Sequence, residues 1–134
     1  MSVKIHSVAS VCLGAAFVWI GIVHFLDPGW FEPIVPAVLG SPTFWVYASG
    51  VCEIGLGVAF AIPRTRKRAS LGLAALLLAL YWANLNMWIH DLSLGDGSSL
   101  SRTGHVLRAG IQFLLILTVL WVGGWLPGKR LRSD

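Results

Sequence analysis

SVASVCLGAAFVWIGIVHFL, residues 7–26, runs for twenty residues without an Asp, Glu, Lys or Arg. A helix rising ~1.5 Å per residue covers the ~30 Å of a bilayer's hydrocarbon core in about that length. Three further runs of similar length follow, at 44–62, 69–90 and 106–126. None alternates in polarity, whereas a membrane β-strand would be about half as long and would alternate. The sequence therefore predicts an all-α fold: a single domain over residues 1–134 made of four transmembrane helices packed as a bundle.

Composition supports this reading. Hydrophobic residues make up 56% of the 134 and charged residues 12%, against about a quarter charged in soluble domains. Mean hydropathy is +0.75. Lys4 precedes the first run, as in a signal peptide, but the apolar stretch outlasts the 7–15 residues of a signal core and lacks a small-x-small exit. The first run is expected to stay as an uncleaved span.

Short loops rich in Lys and Arg remain in the cytoplasm. Lys4, then Arg64, Arg66, Lys67 and Arg68, then Lys129, Arg130 and Arg132 place eight basic residues on one side. The 27–43 loop has none, and the 91–107 connection has only Arg102. A multi-pass protein of the plasma (inner) membrane with both termini cytoplasmic is the expectation. The net charge of +4 sits at span ends, where anionic lipid headgroups are the natural partner. No nucleic-acid motif accompanies it.

The first run ends in His24 and passes into DPGWFEPIVP, residues 27–36. Pro28 stops the helix, and Pro33 and Pro36 forbid a long new one. Trp30, Phe31, Ile34 and Val35 are too apolar for a solvated loop, and unpaired backbone is not tolerated against lipid. A short interfacial element folded over the outer mouth of the bundle is predicted.

Polar residues inside spans are expensive and usually face the bundle interior. Glu53 lies near the middle of the second span. His24 ends the first, Asn84, Asn86 and His90 lie late in the third, and Arg108 and Gln112 open the fourth. All but Glu53 fall in the outer third. Arg108 and Gln112 are four apart on one face, as are Ser49, Glu53 and Gly57. The economical arrangement is one outward-opening polar pocket, with Glu53 compensated by Arg108 or Gln112. Its candidate ligand-binding residues are Glu53, His24, Arg108, Gln112, Asn84, Trp45 and Tyr81. Each has a plainer alternative: histidines wetted at the interface, asparagines as interhelical glue, an arginine snorkelling to water. Ala75, Ala79 and Ala83 form a small-residue ridge suited to close packing. Asn86 continues that ridge, while Asn84 falls nearly opposite with Leu77, Tyr81 and Trp88.

Cys12 and Cys52 form no C-x-x-C motif and read as small buried apolar residues. The histidines at 6, 24, 90 and 105 form no ligand set, so no metal site is expected. Residues 91–105, with Gly95, Asp96, Gly97, Ser98 and Ser99, read as an exposed turn.

GIVHF with Pro28 and then FEPIVP, SGVCEIGLG around Glu53, the Ala83-Asn84 pair with Met87, and Arg108 with Gln112 together resemble the DoxX family. The resemblance runs over about residues 20–112. Relatives often have proline before the Ala-Asn pair, where this chain has Trp82. DoxX-like proteins are small four-helix membrane proteins; one is a subunit of a thiosulfate:quinone oxidoreductase, mycobacterial relatives are linked to thiol and superoxide defence, and distant ones are membrane chaperones. The resemblance implies a quinone- or redox-associated membrane subunit. The alternative is a non-catalytic factor that binds a lipophile or assists membrane-protein assembly. The chain encodes no redox centre, so a redox role requires a bound quinone or a redox enzyme partner; otherwise the ligand is lipid. Catalytic residues and oligomeric state are not legible.

Overall fold

The computed structural model describes residues 2–127 and is all-α. Lys129, Arg130 and Arg132, counted above for orientation, lie outside the described residues. Four long helices are α1 (Ser2–Leu26), α3 (Pro42–Ala61), α4 (Arg66–Ile89) and α5 (Arg102–Val122). Each is long and apolar enough to cross a membrane. A one-turn helix, α2 (Pro28–Phe31), and two 3-10 turns, Glu32–Ile34 and Ala37–Leu39, fill the segment between α1 and α3.

Local chemistry explains the boundaries. Asp27 and Pro28 close α1, and proline then occupies the first position of α2, where its missing N–H is no loss. Ser41 and Ser101 cap α3 and α5, accepting from the backbone N–H groups of Phe44 and Gly104. That cap lets α5 begin at polar Arg102, four residues before the apolar run. It also ends about four residues early. Gly124 takes φ +80°, and Gly124 and Trp125 return their N–H groups to the carbonyls of Trp121 and Leu120, a glycine stop. Helix α4 stops in the same way at Asp91, with φ +51° and Leu92 N bonded to Met87 O. Asp91 thus does what glycine usually does.

The helices run alternately up and down. Helix α1 packs chiefly on α3, α3 on α4 and α4 on α5, with a thinner contact from α5 back to α1. The tightest seam joins α1 to α3. A Cβ built on Gly57 would lie 2.7 Å from the carbonyl oxygen of Gly14, so the two backbones touch there. One end of the bundle carries the α1–α3 segment and is called the capped end; the other carries Lys4, Arg64, Arg66, Lys67 and Arg68 and is called the basic end. The apolar core lies in the basic-end half, around Phe17, Phe60, Leu73, Leu77, Val119 and Val122. Ser10 and Ser70, fully buried, satisfy their hydroxyls on the carbonyls of Ser7 and Lys67.

The outward faces are as apolar as the core. Trp19, Leu78, Ile111 and Phe113 are each more than 60% exposed. This corrects two sequence expectations. Ala75 and Ala79 face outward, and Leu73, Ala74 and Leu77 make the packed stripe of α4. Cys12 and Cys52 are exposed free thiols rather than core residues. In both cases an apolar exterior removes the polarity contrast from which a helix face is read.

Candidate functional site

The segment over the capped end is ordered by its own polar ties. Asn86 donates to Ile34 O at 3.0 Å, Trp45 Nε1 to Leu39 O at 2.9 Å and Thr43 Oγ1 to Glu32 Oε1 at 2.8 Å. The 91–101 connection folds back on it: Gly95 N donates to Trp30 O at 3.0 Å, and Gly95 lies so close to the Gly29 backbone that no Cβ would fit. Residues 95–99 form an exposed turn, as expected, and that turn also latches onto the cap. Asp96 completes the latch. Hydrogen bonds from the hydroxyl and backbone N–H of Ser98 and from the Trp30 side chain hold its carboxyl below the usual carboxylate range.

Beneath this cap, α1 and α3 bring one acid and one histidine together. Gly21 and Gly50 make the approach possible: a Cβ on Gly21 would lie 2.7 Å from Gly50 O and 3.1 Å from Glu53 Cβ. His24, 5% exposed, and Glu53, 3% exposed, meet with Nδ1 3.1 Å from Oε2. Phe31 closes the pair from above, its ring stacked on the imidazole at 3.9 Å between centroids and 13° between planes.

The pair is close but incompletely satisfied. His24 Nδ1 lies 2.8 Å from Ile20 O, and a carbonyl can only accept, so the single proton on that nitrogen points to Ile20. Glu53 Oε2 is consequently buried with no hydrogen-bond donor. A buried polar group in that state typically loses about 1–3 kcal/mol of solvation without return. A pair present only to clamp two helices would be expected to satisfy its carboxylate.

The other candidate residues sit elsewhere. Arg108, half-buried, directs Nη1 to Met87 Sδ at 3.5 Å, a weak acceptor for a guanidinium. Gln112 donates to Leu77 O at 2.6 Å, tying α5 to α4. Asn84 is half-buried on the α4 stripe that carries Leu77 and Met87. Tyr81 is half-buried as well, and Trp45 braces the cap. Among the described residues no hydrogen bond or ion pair joins Glu53 to Arg108 or Gln112, in contrast to the single cluster expected from depth along the helices. The physical reason is the glycine seam, which brings α1 rather than α5 against Glu53. Phe31 lies in the cap, where the sequence puts it, and Gly57 shares the Glu53 face as expected; Gly14, Gly21 and Gly50 are the contributors that helix-by-helix reading did not place.

Two grooves of appreciable size lie outside this pair. One, of about 450 Å³, is apolar and runs along α1 and α3 between Val11 and Ile62. The other, of about 380 Å³, lies at the capped end between Trp88 and His105. Neither is lined by His24 or Glu53, whose burial beneath the stacked Phe31 ring keeps the pair closed. Among the described residues no three His, Cys, Asp or Glu side chains gather in a way that would hold a metal.

The DUF8561 family model, described as a domain of unknown function, matches residues 13–123, and the chain belongs to that family. No curated protein and no solved structure matches it.

Proposed function

We propose that this DUF8561 protein is an integral membrane four-helix bundle that holds the polar head of a lipophilic ligand, of the quinone class, at the His24–Glu53 pair. The observation that carries the reading is the buried Glu53 Oε2 that accepts no hydrogen bond. A protonated carboxyl there is a hydrogen-bond donor to a carbonyl oxygen, and His24 beside it is a second proton-holding group. Phe31 offers a flat apolar face of the kind a quinone ring stacks on. Four spanning-length helices, the apolar exterior and the basic end support the membrane placement, with the basic end and both termini in the cytoplasm and the cap on the opposite side.

A bound quinone would supply two-electron redox chemistry, with a partner oxidoreductase delivering electrons and these residues handling protons. The likeness to DoxX-like proteins, on the residues quoted above, is the support for that redox link. A second reading, a non-catalytic lipophile-binding or assembly factor, is favoured by the closure of the pair under Phe31, because entry requires the cap to lift. Organic extraction of the protein purified from its own membranes separates the two. Near-stoichiometric quinone, absent from Phe31→Ala and Glu53→Gln preparations, supports the redox-linked reading. Ordinary lipid alone refutes the quinone class and leaves the second reading.

A further inference from the structure

The second groove carries a separate inference. It opens at the capped end where α4 stops and α5 starts, and Trp88, Asp91, Leu100, Arg102 and His105 line its ~380 Å³. His105 is 6% exposed, with its ring stacked parallel on Trp88 at 5.4 Å and 3°. No hydrogen-bond partner is present for that imidazole among the described residues, and neither ring nitrogen is among the sealed, unpartnered atoms. The imidazole thus borders the groove with its hydrogen-bonding capacity unused by the described residues.

The charges in the groove are equally unpaired. Asp91 and Arg102 line the same space, yet the one acid–base contact within 4.0 Å among the described residues is His24–Glu53. Asp91 is also held in place by the backbone, because it occupies the left-handed C-terminal stop of α4 at φ +51°. Apolar Leu100 and the Trp88 ring supply the remaining wall. A ligand matched to this set carries an anion for Arg102 and His105, a cation with N–H donors for Asp91, and a short apolar link between them.

We infer that this groove binds a phosphate ester bearing a primary ammonium, the headgroup chemistry of an ethanolamine phospholipid. Arg102 would take the phosphate through its forked N–H donors, His105 would add a third, and Asp91 would accept from the ammonium. A lipid source rests on the membrane reading above, which places the groove at headgroup level; a free phosphoethanolamine ester has the same chemistry. The site is independent of the His24–Glu53 pair and involves no covalent step.

The test is native mass spectrometry of the full chain released from nanodiscs containing equal amounts of ethanolamine, glycerol and choline phospholipids with matched acyl chains. The wild type should retain one ethanolamine lipid in preference to the other two. Asp91→Asn keeps a residue that tolerates left-handed φ and should lower the ethanolamine-over-glycerol preference about tenfold, the scale of one charge-assisted hydrogen bond. Arg102→Gln should reduce retention of all three. Equal retention by the wild type, a preference for the glycerol lipid, or an Asp91→Asn protein of unchanged helical content and unchanged preference would overturn the inference. Competition by soluble glycerophosphoethanolamine would support the chemistry and assign a soluble source. Recovery of the protein outside the membrane fraction refutes the membrane reading instead, whereas a membrane-bound protein without headgroup preference sinks this inference alone.

Discussion

Gly21→Ala should destabilise the bundle relative to Gly55→Ala by about 1–3 kcal/mol. Both glycines lie inside long helices, so each substitution brings the same gain in helix propensity, roughly 0.5–1 kcal/mol, which cancels in the comparison. They differ in what the new methyl group meets. At Gly21 it would lie 2.7 Å from both Gly50 O and Ile54 Cγ1, while at Gly55 nothing lies within 4 Å. The carbonyl belongs to a helix backbone and cannot rotate away, so α1 must move off α3, and His24 and Glu53 must separate with it. Reversible unfolding in mixed micelles, followed by circular dichroism and tryptophan emission, gives the difference directly. Equal stabilities for the two variants would show that the glycine seam does not set the α1–α3 distance, and the argument for the buried pair would fall with it.

Other outcomes are as definite. In a Cys12→Ser, Cys52→Ser background, required because both native thiols are exposed, Ser41→Cys and Thr65→Cys should react with an impermeant thiol reagent from opposite faces. Labelling of Thr65→Cys from outside intact cells would reverse the orientation. Asn86→Leu removes the tie to Ile34 O and should loosen the cap by about 0.5–1.5 kcal/mol, read as faster hydrogen exchange in residues 28–36 with α3 unchanged; unaltered exchange would mean the tie is idle. Asp96 is ionised at neutral pH and its carboxyl is lowered in the folded protein, so its contribution is complete above its usual value of 3.8 and is lost as pH falls through the lowered one. Trp30 emission, with the other tryptophans replaced, should shift over that acid range, and Asp96→Asn should abolish the shift. A shift that survives in Asp96→Asn would place the titrating group elsewhere.

The four helices were legible because spanning length and the absence of charge are properties of each run alone. His24 and Glu53 stood out for the same reason, as ionisable side chains in apolar surroundings. Their pairing did not, since depth along a helix places Glu53 within reach of Arg108 and says nothing about which helix is its neighbour. That choice lies in Gly14, Gly21, Gly50 and Gly57, where seven-residue spacing on both α1 and α3 lets the two backbones meet. The matched spacing is present in the sequence but becomes informative only once the two helices are paired. Ala75 and Ala79 misled because a helix apolar on every side gives no contrast between packed and outward faces. Asp91 escaped notice because a helix stop of that geometry usually advertises itself with glycine.

The most direct measurement of the central claim sets stability beside ligand retention in Glu53→Gln. An amide has nearly the shape of the carboxyl and still forms hydrogen bonds, but it cannot hold and release the same proton. If the carboxyl serves a ligand, the variant should keep wild-type helical content and an unfolding free energy within about 1 kcal/mol, the scale of one hydrogen bond, while losing the bound quinone. If the pair is a structural clamp, the variant should lose the roughly 3–5 kcal/mol expected when a buried ion pair is broken, with ligand retention per folded molecule unchanged. That second result would contradict the proposed function.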